Sequence, residues 1–205
     1  MVIDVTSNTA VSGNIYLSSR GSTPEVVQGK AIPSISECLN LLTDTFKADE
    51  GLIRHSMKVA QTALRLGRAL KRRGFDLDLK LIEAAALLHD IARGMPDHAR
   101  VAAEFLRRLR YPEVAKVVEA HMRTSPINTD NITEIDVVSF SDRLVLQDKL
   151  VNLEVRFTRQ LINHALSPDA TAVIQHRFDI ARDAQATFEG AIGMKLEKLF
   201  PELSE

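Results

Sequence analysis

From Pro33 onward, apolar side chains recur at the spacing of one helix face. Ile35, Cys38, Leu39 and Leu42 begin the series, and Ile53, Met57, Ala60, Leu64 and Leu70 continue it through GLIRHSMKVAQTALRLGRALKRRG. Gly74 supplies a left-handed stop, and Lys71, Arg72 and Arg73 put cations in the last turn, where they suit the helix dipole. Residues 79 to 92 are apolar almost all round, as expected of a central helix buried by its neighbours, and Gly94 and Pro96 end the run. Asp97 is placed to cap a helix reaching about Arg110, and Pro112 to open another ending near Arg123. After a polar loop from Ser125 to Asn131, Thr133 and Asp136 form a capping pattern for a helix containing IDVVSFSDRLVLQDKL. Ser167 and Pro168 restart the chain into a long helix whose apolar face includes Val173, Phe178, Ala181 and Ala184.

The pattern predicts an all-α protein. Residues 1 to 31, rich in Ser, Thr, Asn and Gly, show no helical period and read as a loosely ordered arm, with at most a short hairpin; residues 32 to 205 form the helical domain. With 205 residues, one generous domain can bury a real core. The 26 basic and 27 acidic side chains nearly cancel, so there is no general attraction for nucleic acid or anionic membrane, and phosphate recognition must be local. No apolar run is long enough for a membrane span, and no secretory signal is evident. The single Cys38 fits a reducing compartment and a core role, which points to a cytoplasmic protein.

Against this apolar background six residues stand out: His55, His89, Asp90, His98, His121 and Asp142. Each falls on or at the end of a predicted helix among apolar neighbours, so all six can face one interior. Buried polar groups of this kind are costly unless something satisfies them. Imidazole and carboxylate together suit Mn, Fe, Co, Ni and Zn better than Ca or Mg. Asp136 and Asp148 read as cap or surface charges, and His164 and His176 as structural or exposed.

The stretches HSMKVA, AALLHDIARG, DHARVAAEFL, VVEAHM and VSFSDRLV resemble the HD-domain superfamily of metal-dependent phosphohydrolases over about residues 50 to 160. Its lone His, His-Asp doublet and distant Asp match His55, His89 with Asp90, and Asp142. His98 and His121 are similar to the additional histidines of the binuclear branch, which includes symmetrical diadenosine tetraphosphate hydrolases. Leu153 to Phe157 resembles the LE-x-RF stretch of HD domains fused to molybdenum-cofactor cytidylyltransferase-like nucleotidyltransferases. The resemblance implies an HD-type helical bundle and two divalent ions. His55, His89, Asp90 and Asp142 would hold one, and His98 and His121 the second, with Asp90 shared. Two such ions, ~3.5–4 Å apart, generate hydroxide from bridging water and neutralise the phosphate under attack.

Arg93 and Arg143 stand where many relatives carry Lys, and Met122 where the diadenosine-tetraphosphate branch commonly carries Thr. Arginine is a permanently charged fork that clamps phosphate but is a poor proton donor. Arg93 and Arg143 are therefore candidates for catalysis alongside Asp90, and Arg93, Arg123, Arg143 and Arg156 for substrate binding; Arg54 points elsewhere by about 100° on an ideal helix. The expected activity is hydrolysis of a phosphoester or phosphoanhydride in a nucleotide or related small phosphorylated metabolite. The same residues also suit a non-catalytic, metal-containing nucleotide- or signal-binding module, and the long final helix makes a homodimer plausible.

Overall fold

The computed structural model describes residues 32 to 164 and 167 to 204; the expected arm, residues 1 to 31, lies outside them. Among the described residues the chain is all-α apart from one hairpin of two two-residue strands. Ser34 caps α1 (Ile35–Asn40) with a capping box through Glu37, and a single π turn, Leu41–Thr45, follows. Then come α2 (Glu50–Lys71), α3 (Leu79–Leu88), α4 (His98–Arg108), α5 (Pro112–Ala120) and α6 (Glu134–Arg143). The hairpin β1 (Val145–Leu146) and β2 (Lys149–Leu150) leads into α7 (Leu153–His164), α8 (Pro168–Ile192) and α9 (Leu196–Leu199).

Helices α2, α3, α5 and α6 form the centre, α4 packs on α5, and α7 and α8 make a pair docked on α6. As predicted, α3 is apolar nearly all round, with Leu81, Ile82, Ala84, Ala85, Ala86, Leu87 and Leu88 buried. The long helix α8 covers part of the core through Phe188, whose ring stacks on Phe140 of α6 at 4.7 Å; both are fully buried. Pro112 opens α5, and Thr133 and Asp136 build the capping box of α6, both as expected. Ser167 caps α8 by accepting from the Ala170 amide.

Several expectations are corrected. The apolar stripe of α2 is rotated: Met57 is 43% exposed and Leu64 half-buried, while Val59, Ala63, Leu66 and Leu70 are fully buried. The run at 79 to 92 leaves α geometry after Leu88 and continues as tight turns, with the Ile91 and Arg93 amides bonded to the Leu88 and Asp90 carbonyls. Helix α5 stops at Ala120, short of Arg123, and α6 stops at Arg143, so VLQDKL forms the hairpin rather than more helix. Asp97 adopts the left-handed conformation (φ 53°) and makes no side-chain cap; its carboxylate accepts from Arg100 Nε at 2.6 Å. Val173 is half exposed, and Ile174 takes its place against the core.

Helices α2 and α3 approach closely at Gly67, where an added Cβ would lie 3.0 Å from Leu79 Cδ2 and 3.1 Å from Ile82 Cδ1. Gly67→Val is therefore expected to overpack this crossing and destabilise the chain by ~1–3 kcal/mol, read as a lower unfolding midpoint in urea. An unchanged midpoint would show that the crossing relaxes freely.

Candidate metal centre

The ends of five helices deliver the six residues to one place. His55 lies in the second turn of α2, His89 and Asp90 just past the end of α3, His98 at the first position of α4, His121 just past α5, and Asp142 in the last turn of α6. Carbonyls of the last turn of a helix can accept from side chains, and two of them anchor histidines here. His89 Nδ1 donates to the Ala86 carbonyl (2.8 Å) and His121 Nδ1 to the Val118 carbonyl (2.6 Å), in both cases three residues back. His55 Nδ1 donates to the carbonyl of Gln147 (2.6 Å), in the hairpin turn where Gln147 adopts φ 57°.

Because a carbonyl only accepts, Nδ1 carries the proton in each of these rings, and Nε2 of the neutral imidazole presents a lone pair. Those Nε2 atoms converge on the two carboxylates. Asp90 Oδ2 lies 3.9 Å from His55 Nε2 and 3.6 Å from His89 Nε2, while its other oxygen, Oδ1, lies 3.2 Å from His98 Nε2 and 3.7 Å from His121 Nε2. Asp142 Oδ1 lies 3.2 Å from His55 Nε2 and 3.6 Å from His89 Nε2. His89 Nε2 and His98 Nε2 are buried without an aligned hydrogen-bond partner. For His55, His89 and His121, acceptors thus face acceptors across the gap, an arrangement that requires a proton or a cation between them.

The acid–base behaviour follows. Burial opposes protonation of His89, but the Asp142 and Asp90 carboxylates outweigh it and raise the ring above its ordinary value. Burial also opposes ionisation of Asp142, yet the adjoining His55 and His89 rings, which favour the carboxylate when a proton sits on Nε2, and the Arg156 charge hold it well below the usual carboxylate range. Asp90 behaves alike: burial is outweighed by the adjoining His121 ring and by the charges of His89 and Arg93. The donor set and its orphaned nitrogens fit divalent metal. Among the described residues, two groups of three converge closely enough to hold an ion: His55 with His89 and Asp90, and Asp90 with His98 and His121.

The centre opens into a cleft of about 760 Å³. Arg93 lines it, 58% exposed and 3.3 Å from Asp90 Oδ2. Arg156 also lines it, with Nη1 donating to the carbonyls of Asp142 (2.9 Å) and Val145 and Nη2 3.6 Å from Asp142 Oδ2, so it braces that carboxylate. The structure does not bring Arg123 or Arg143 into the cleft. Arg143 Nη2 donates to the Arg123 carbonyl, which fixes the segment following His121. Arg54, set aside on helical geometry, lines the cleft mouth in an ion pair with Glu50 and Asp148. Arg159, Gln160 and Asn163 of α7 also line the cleft; with Arg156 they form a polar stripe at helical spacing, whose signal lies in LEVRFTRQLINH. His176 is exposed, the His164 side chain lies outside the described residues, and burial pushes the core thiol of Cys38 up to about 12.

Comparison with known proteins agrees with this geometry. The HD domain family matches residues 52–157, just over half of the chain, and the chain belongs to that family. It is 28% identical over 122 residues to an uncharacterized protein of Methanocaldococcus jannaschii, covering 51% of this chain and 72% of that one. It is also 29% identical over 142 residues to a protein named tRNA (cytidine(56)-2'-O)-methyltransferase from Picrophilus torridus, covering 61% of this chain and 40% of the relative. A protein of the same name from Thermoplasma volcanium is 34% identical over 113 residues, covering 53% of this chain and 30% of the relative. No solved structure matches the chain. Among the described residues, no helix is long and apolar enough to cross a membrane.

The shifts fix how the metal-free chain responds to pH. Asp90 and Asp142, depressed below 3.8, contribute stability that is present above that value and lost as pH falls through their folded pKa values. His89, raised above 6.5, contributes stability present below 6.5 and lost as pH rises through its folded pKa. The urea midpoint of metal-free protein is therefore expected to fall at both ends of a pH series. Metal displaces the His89 proton, so calorimetry at pH 6.5 in buffers of different ionisation enthalpy should report proton release on Mn²⁺ binding; no release would contradict the assigned protonation.

Proposed function

We propose that the chain is a binuclear metal-dependent phosphohydrolase that cleaves a phosphoester or phosphoanhydride of a nucleotide or related small phosphorylated metabolite. The observation that carries this reading is the presentation of imidazole Nε2 atoms to both oxygens of Asp90. His55, His89 and Asp142 would hold one divalent transition ion (Mn, Fe, Co, Ni or Zn) on the Oδ2 side of Asp90, and His98 and His121 a second on the Oδ1 side. When bound, such a pair supplies a water acidic enough to attack phosphorus near neutral pH and offsets the charge of the phosphate.

The chain's own groups supply the rest. The backbone carbonyls of Ala86, Val118 and Gln147 hold three imidazoles in the tautomer that leaves Nε2 free. Arg156 keeps Asp142 in place. Arg93, exposed over the cleft beside Asp90, binds phosphate oxygens; being permanently protonated, it orients the phosphate rather than protonating the leaving group. Arg143 is a positioning residue for the segment after His121. The methyltransferase names belong to relatives of which this chain spans less than half.

Elemental mass spectrometry after reconstitution is expected to give about two metal equivalents per chain for the native sequence, about one for His98→Ala and almost none for Asp90→Ala. The metal-loaded chain should release phosphate from members of a nucleotide panel, and a chelator should stop it. Two equivalents retained by Asp90→Ala would refute the shared carboxylate. Metal without phosphate release across the panel would favour the non-catalytic binding module.

A further inference from the structure

Most cations of the cleft are already engaged: Arg54 with Glu50 and Asp148, Arg93 with Asp90, and Arg156 with Asp142 and two carbonyls. Arg159 differs. It lines the cleft, is exposed, and has no acidic partner among the described residues. It follows Arg156 by one turn of α7, so its Cα stands about 5 Å farther along the helix from the Asp142 brace. Gln160 and Asn163 flank it on the cleft side, each with an amide that bonds no described residue. Arg159 and Asn163 also line an adjoining shallow, mostly apolar groove with Val155 and Ile162, 49% and 77% exposed, and with Glu154 and Thr158.

A substrate with one phosphate at the metal centre would leave this second cation and its two amides unused. Resting on the phosphohydrolase reading, we infer that Arg159, with Gln160 and Asn163, binds a second phosphoryl group of the substrate, apart from the one attacked. The preferred substrate class is thus a compound carrying two or more phosphates. The second can be joined by an anhydride to the first, as in a nucleoside polyphosphate, or sit elsewhere on the molecule, as in a bisphosphate. Arginine's planar fork suits such a group, whereas the amides add neutral donors that hold it in register.

The test uses equilibrium binding to the full, metal-loaded chain, so it does not depend on turnover. Methylphosphonate, methylenediphosphonate and propane-1,3-diyl diphosphonate are titrated calorimetrically into the native sequence, Arg159→Ala and Arg159→Lys. The native chain is expected to prefer a diphosphonate to methylphosphonate. Arg159→Ala should weaken the diphosphonate about 10- to 100-fold more than it weakens methylphosphonate, with Arg159→Lys intermediate. A preference for the methylene probe indicates an anhydride-linked second phosphate, and for the propane probe a separate one. Equal weakening of all three probes by Arg159→Ala, or no weakening, would overturn the inference, as would failure of the native chain to bind either diphosphonate. Phosphate release by the native chain separately decides the phosphohydrolase reading: an Arg159-dependent preference without turnover leaves the anion site standing while that reading fails.

Discussion

The Asp90 carboxylate lies within 4 Å of four imidazole Nε2 atoms, two on each of its oxygens, and much of the fold is arranged around keeping that contact fixed. Unaided, such an assembly is unfavourable: a buried carboxylate loses its hydration, and lone pairs of neutral imidazoles repel it. The surrounding packing holds it together. Helices α2, α3, α5 and α6 bury continuous apolar faces against one another, and the ligating groups are attached where those helices begin or end.

Helix ends do more than deliver side chains. Their last-turn carbonyls orient the rings, as Ala86 and Val118 do for His89 and His121, so the end of the helix also sets the tautomer. The hairpin after α6 plays the same part for His55 through Gln147, and Arg156 ties that hairpin to Asp142 by bonding the carbonyls on both sides of Leu144. Asp142 and the Gln147 carbonyl therefore form one unit, and α7, which carries Arg156, is part of the site's frame as well as its wall.

The side chains of this site were readable from sequence because each is a polar interruption in an apolar segment, and six such interruptions in family order are hard to produce by packing alone. The helical class, the span of the family domain, the cap at Thr133 and the restart at Ser167 and Pro168 were readable for similarly local reasons. What escaped was set by tertiary contact. The Gln147 carbonyl has no side-chain signature, and the VLQDKL hairpin carries enough apolar residues to pass for helix. Met57 fits the α2 stripe by spacing, yet it is exposed because the partners of α2 lie about one residue round the helix. Arg143 neighbours a site residue in sequence but turns to the Arg123 carbonyl, while Arg159 faces the cleft from α7, a helix that carries none of the six site residues.

The most direct measurement is an anomalous-difference electron-density map from crystals of the Mn-loaded chain. Two peaks are expected, one between Asp90 Oδ2 and the His55, His89 and Asp142 side chains, the other between Asp90 Oδ1 and His98 and His121. A single peak, or two that do not share Asp90, would contradict a centre organised around that carboxylate.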